Sequence, residues 1–84
     1  MLTGKADSNR YWELVRRTLK DVFSRDPSIA DSLENEVRNS AQDEEELFYH
    51  SEPLSTAAEI AGEQLAPGDI DTYKKLRADV YGIP

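Results

Sequence analysis

Apolar residues recur at steps of three and four along most of the chain, and this spacing is typical of amphipathic α-helices. In the clearest stretch, Trp12, Val15 and Leu19 fall on one helical face. No run alternates between apolar and polar residues as a half-buried strand does. The sequence therefore predicts an all-α fold, a small four- or five-helix bundle with short loops.

Prolines and cap residues divide this pattern into helices. The first helix is predicted over residues 8–24, and Asp26 with Pro27 marks a break and a new start, as N-cap and first-turn residue. This second helix is expected to end near residues 39–40. Ser40 and Asp43 then have the spacing of a capping box for a third helix.

Pro53 decides how the following region is divided, because proline removes a hydrogen bond from a helix interior. Two helices, over about residues 41–50 and 53–65, are preferred to one kinked helix. Residues 66–68, Ala-Pro-Gly, predict a loop. Asp69 or Asp71 is expected to cap the last helix, and Gly82 to end it in the left-handed conformation.

The chain is long enough for one domain, since its 84 residues leave no room for a second core. Residues 1–84 are expected to form a single helical domain, with residues 1–7 as a flexible N-terminal arm. A core of this size rarely supplies more than about 3–5 kcal/mol. The predicted core contains large apolar residues from every helix: Trp12, Val15, Leu19, Val22, Phe23, Ile29, Leu33, Val37, Leu47, Phe48, Leu54, Ile60, Leu65, Tyr73, Leu76 and Val80.

Charge is unevenly distributed along the chain, whose formal net charge is -7. Residues 1–25 hold six basic and three acidic residues, residues 26–71 hold one and thirteen, and residues 72–84 hold three and one. Two interpretations remain open. The basic ends pack beside the acidic middle, or the acidic middle attracts a basic partner.

Several functional classes lack the residues that they need. Without cysteine the chain has no disulfide or thiolate metal site, and its single histidine, His50, has no second histidine for a zinc site. No apolar run approaches the roughly 20 residues of a membrane span. We expect a cytoplasmic protein that is not an enzyme, with no metal, no cofactor, no membrane association and no small-molecule substrate.

The densest chemical feature is an acidic run followed by aromatic residues. Consecutive carboxylates on a helix point in different directions, about 100° apart, so they do not converge as a catalytic or metal site requires. Acids beside aromatic residues are instead typical of a protein interface. We therefore predict a non-enzymatic interaction module that binds a basic protein surface through these residues: Asp43, Glu44, Glu45, Glu46, Phe48 and Tyr49. Self-association as a homodimer is a compatible variant, since amphipathic helices of a small chain often complete their core across a two-fold axis.

The alternative hypothesis is a DNA-binding regulator. Residues 55–77 faintly resemble a helix-turn-helix pair, in which Lys74, Lys75 and Arg77 are the candidate phosphate contacts. The acidic net charge disfavours a nucleic-acid partner. A third option is an acidic mimic of nucleic acid.

Overall fold

A computed structural model describes the backbone of residues 5–82 and the side chains of residues 8–82. This part of the chain is helical and contains no strand, which confirms the all-α prediction. A short 3-10 turn, Pro27–Ala30, leads directly into the second helix. The α-helices are α1 (Lys5–Asp21), α2 (Asp31–Arg38), α3 (Gln42–Phe48), α4 (Pro53–Ala61) and α5 (Pro67–Tyr81).

Helix α1 is the centre of the bundle, and the 3-10 turn, α4 and α5 all pack on it. It is buried on two sides because it contributes to two apolar clusters. Trp12, Val15 and Leu19 lie in the first cluster, together with small residues of the 3-10 turn and α4. Leu14 faces the second cluster, where it meets α4 and α5.

The predicted break between helices at Asp26 and Pro27 is confirmed. The Asp26 carboxylate accepts hydrogen bonds from the backbone N–H and the hydroxyl of Ser28, both at 2.9 Å. These bonds stabilise the ionised form and lower the pKa of Asp26. Pro27 occupies the first turn, where its missing N–H leaves no bond unmade.

Pro53 separates two helices, as predicted, and is the first residue of α4. The alternative of one kinked helix is excluded, because residues 49–52 leave helical geometry. Helix α4 ends at Ala61, earlier than expected, because Gly62 adopts a left-handed conformation with φ 69°. Gly82 ends α5 in the same way at φ 68°, as the sequence predicts.

Two predicted details of the helix starts are wrong. Ser40 does not cap α3, since its hydroxyl donates backwards to the Val37 carbonyl at 2.5 Å. Pro67 and Gly68 belong to α5 rather than to a loop. Asp69 accepts the backbone N–H of Ala66 at 2.9 Å, which fixes this earlier start.

The start of α1 corrects part of the predicted N-terminal arm. Helix α1 begins at Lys5, so the backbone of residues 5–7, assigned above to a flexible arm, is helical. Residues 1–4 of that arm lie outside the described residues.

Between residues 5 and 82, no helix is both long and apolar enough to cross a membrane.

The predicted core is correct for most residues but includes three that the structure leaves exposed. Ile29, Leu47 and Leu65 retain 42%, 71% and 44% of their accessible surface. Two small residues, Ala30 and Ala57, are instead completely buried against α1. Their size lets the 3-10 turn and α4 approach α1 closely.

Candidate interaction surface on the third helix

The predicted acidic and aromatic residues lie on two faces of α3, with Tyr49 as the C-cap residue that follows the helix. At 100° per residue, Glu45, Phe48 and Tyr49 share an arc of about 100°. This inner face points towards α1, and its three side chains are half-buried. The outer face, which is exposed, consists of Asp43, Glu44, Glu46 and Leu47.

The inner face is attached to α1 by aromatic rings. Phe48 stacks on Trp12 with ring centroids 5.7 Å apart and an interplanar angle of 14°. Tyr49 packs against Tyr11 at 5.1 Å and against the edge of Trp12 at 6.4 Å. Such ring pairs contribute roughly 0.5–1.5 kcal/mol beyond the area that they bury. Phe48 and Tyr49, predicted as partner contacts, are therefore engaged within the chain.

A chain of hydrogen bonds reinforces this attachment. The indole N–H of Trp12 donates to the Tyr49 hydroxyl at 3.1 Å, and that hydroxyl donates to Glu45 Oε2 at 2.8 Å. Burial raises the pKa of Tyr49, and the Glu45 carboxylate adds to this effect. Glu45 is thus the acid of the run whose carboxylate is bonded to another side chain.

The acids of the outer face have no cationic partner among the described side chains. Asp43, Glu44 and Glu46 are exposed, and none of them forms an ion pair there. Asp43 accepts only the backbone N–H of Glu44, at 3.0 Å. The first turn of a helix favours negative charge, so these carboxylates are tolerated without neutralisation.

Elsewhere, basic residues of the chain ends pair with acids of the middle. Arg16 on α1 bonds to Asp31 at 2.7 Å and also to Glu34. Arg25 bonds to Glu63 at 2.5 Å. Among the thirteen acids of residues 26–71, such ion pairs involve Asp31, Glu34, Glu52 and Glu63, and none of these lies on α3.

Leu47 is the most exposed large apolar residue among the described ones. Leu65 and Ile70, at 44% and 41%, occupy the positions before the N-cap and at the fourth residue of α5. Apolar residues at these two positions often pack as a hydrophobic staple at a helix start. No comparable local role applies to Leu47, which has acids at i−4, i−3 and i−1.

The residues of the DNA-binding alternative are arranged differently from a compact helix pair. Helices α4 and α5 make their main contacts with α1 rather than with each other. Lys74 and Lys75 are exposed, while Arg77 lies 3.8 Å from the Glu52 carboxylate.

Within the part of the chain that the structure describes, no three histidine, cysteine, aspartate or glutamate side chains are grouped so that they could hold a metal ion.

Comparisons with protein families, with curated proteins and with solved structures find no match for this chain.

Proposed function

We propose that the chain is a protein-interaction module whose outer α3 face binds a basic partner. The observation that carries this proposal is the arrangement of Asp43, Glu44 and Glu46 around the exposed side chain of Leu47. A complementary partner presents lysine or arginine side chains around an apolar recess. Phe48 and Tyr49 then hold α3 in place instead of contacting the partner.

Charge supports a basic rather than an acidic or neutral partner. The outer acids have no cation nearby among the described side chains, so their field extends into solvent and can steer a positively charged surface. Individually, such exposed contacts contribute about 0–1 kcal/mol. Their main effects are therefore on association rate, orientation and salt dependence.

Leu47 supplies the apolar contact that charges alone do not give. Burying a leucine side chain contributes roughly 1.5–3 kcal/mol. Because Leu47 is 71% exposed in the free chain, most of that contribution is available to a partner. An exposed apolar residue surrounded by a polar rim is the usual anatomy of a small interface.

A synthetic helical peptide with lysines on both sides of a leucine stripe tests this proposal. We expect the triple variant D43N/E44Q/E46Q to bind it about tenfold more weakly, since three contacts of roughly 0.5 kcal/mol are lost. Leu47→Ser should weaken binding by a similar factor. NMR shift changes upon titration should map to residues 43–47.

The matched control is E36Q/E59Q/D71N, which removes three exposed acids from α2, α4 and α5 and changes the net charge equally. Its affinity should change less than about twofold, because these acids lie outside the outer α3 face. Equal weakening in both triple variants would show attraction to net charge alone. Binding no tighter than that of a scrambled peptide would also contradict the proposal.

The proposal also covers the location of the protein and its possible association with itself. A cytoplasmic location is consistent with the absence of cysteine in the chain. Self-association remains the alternative mode of interaction. Light scattering over a range of concentrations distinguishes it, since only a self-associating chain gains apparent mass with concentration.

A further inference from the structure

We infer that α3 opens as a unit separate from the rest of the bundle, and that the bonds joining Trp12, Tyr49 and Glu45 form the latch that closes it. This inference rests on the proposed function in one respect. The outer acids and Leu47 share a face only while α3 is helical, so the latch controls the proposed binding surface.

The burial of α3 supports a separate opening. None of its seven residues is buried, whereas α1 contains Trp12, Leu14, Val15 and Leu19 at 0–1% exposure. Helices shorter than about 12 residues are unstable alone in water. Helix α3 therefore depends on the contacts that its inner face makes, chiefly those of Phe48 and Tyr49 with the rings of α1.

The segments that flank α3 connect it to the neighbouring helices through non-helical backbone. Residues 39–41 and 49–52 are not helical, and most of their side chains are exposed. None of the four acids of residues 43–46 forms an ion pair with a described side chain, and Asp43 and Glu46 are like charges one helical turn apart. Segments with few buried contacts are the ones that open below the free energy of global unfolding.

The latch itself is the point where α3 depends most on α1. Trp12 is 1% exposed, so its indole N–H needs an acceptor inside the protein. The Tyr49 hydroxyl is that acceptor, and its own proton bonds to Glu45 one turn earlier. When α3 opens, water can solvate all three groups. A partner on the outer face favours the closed state, because it binds only that state.

Amide hydrogen exchange of the free wild-type chain, measured by NMR at low urea concentrations, tests the latch without any partner. We expect α3 amides to exchange at least about tenfold faster than those of α1. Their rates should also depend less on urea, because local opening exposes less surface than global unfolding. Equal rates and equal urea dependence in α3 and α1 would overturn the inference.

Two variants sharpen the comparison. Tyr49→Phe leaves the indole N–H of Trp12 without an acceptor in the closed state, so exchange should accelerate about fivefold in both α3 and α1. Leu14→Val removes a methylene from the second apolar cluster, which stays formed when α3 opens. It should accelerate exchange in α1 about fivefold and in α3 less than about twofold.

If Leu14→Val accelerates α3 and α1 equally, α3 unfolds only with the whole protein and the inference is wrong. That result leaves the proposed function intact, because a fixed α3 presents the same outer face. Conversely, failure of the lysine-leucine peptide to bind contradicts the proposed function but does not alter exchange in the free chain.

Discussion

Ser24, three residues beyond the end of α1, adopts a conformation that few residues other than glycine tolerate. Its φ of 55° is the only positive value of a non-glycine residue within residues 5–82. The left-handed conformation costs roughly 1–2 kcal/mol for a residue with a Cβ atom. The reversal at this point lets the Arg25 N–H donate to the Leu19 carbonyl at 2.8 Å, and so turns the chain towards Pro27.

Ser24→Gly should therefore stabilise the protein. Relief of the left-handed strain outweighs the extra freedom that glycine gives the unfolded chain, leaving a net gain of about 0.5–1 kcal/mol. Urea unfolding followed by the fluorescence of Trp12, the single tryptophan, measures the change. The opposite substitution, Gly62→Ala at φ 69°, should destabilise by about the same amount.

Tyr11 links α1 to α4 through a buried hydroxyl pair and makes stability sensitive to alkaline pH. Its hydroxyl lies 2.7 Å from Thr56 Oγ1, and burial raises the pKa of Tyr11 to about 12. The ordinary pKa of a tyrosine is 10.0. Its contribution to stability is complete below pH 10 and is lost as the pH rises from 10 through about 12.

Tyr11→Phe removes this contribution. We expect wild type to be more stable than the variant at pH 8 and the difference to shrink steadily above pH 10, as measured by urea unfolding at each pH. Tyr73 also has a raised pKa, because of burial and the Glu52 carboxylate, so the variant retains part of the alkaline transition. A difference that stays constant up to pH 12 would contradict this assignment.

At the level of helices, the prolines in the sequence predict where helices begin. Pro27 and Pro53 mark helix starts because their fixed φ and missing N–H suit only the first turn. The start of α5 at Pro67 has the same signature, with Leu65 and Ile70 at the staple positions and Asp69 bonded to the N-cap. This combination of proline, staple residues and Asp69 predicts a helix start at residue 67, whereas the dipeptide Pro-Gly alone predicts a loop.

The division of α3 into two faces was only partly predictable. Helical geometry shows that three consecutive bulky residues cannot all point inwards, but it does not say which one stays outside. That choice depends on the rings of Tyr11 and Trp12, which α1 presents to Phe48 and Tyr49. Contacts between residues more than 35 positions apart leave no periodic signal in the sequence.

The two faces of α3 should differ in their effect on stability. Phe48→Ala removes a half-buried ring stacked on Trp12 and should cost about 1–2 kcal/mol, less than the 3–5 of a fully buried phenylalanine. Leu47→Ala, one residue earlier, should change stability by less than about 0.5 kcal/mol because its side chain is exposed. Urea unfolding of both variants measures this contrast, and equal costs would contradict the two-face description.

For the molecule as a whole, the net charge of -7 comes from acids that form ion pairs and from exposed acids that do not, on α3 and elsewhere. Acids such as Glu34, Asp31 and Glu63 neutralise arginines from the N-terminal part of the chain. Those of the outer α3 face remain without a cation among the described side chains. The first interpretation of the charge distribution is therefore supported by ion pairs between segments of the fold, and the second, an acidic surface for a basic partner, stays a prediction.

Glu34 is the centre of the neutralised network and predicts how the fold responds to acid. Burial opposes its ionisation, but hydrogen bonds from Arg16 and Arg38 outweigh this effect and lower the pKa of Glu34 below its ordinary value of 4.5. A lowered pKa adds stability above pH 4.5, and that stability is lost as the pH falls through the value in the folded protein. Arg38 also bonds to Ser8 and Asn9, so the network connects α2 to the start of α1.

Glu34→Gln should consequently cost about 1–2 kcal/mol at pH 7, the contribution of a charged hydrogen-bonded pair with limited exposure. The cost should disappear towards pH 2, where the wild-type carboxyl is protonated as well. Asp31→Asn is the matched control, because Asp31 bonds to the same arginine but its side chain is 58% exposed. Urea unfolding of the three proteins between pH 2 and 7 should show a pH-dependent gap for Glu34→Gln and a small one for Asp31→Asn. Equal losses of stability in the two variants would mean that burial of the carboxylate does not determine how strongly an ion pair stabilises this bundle.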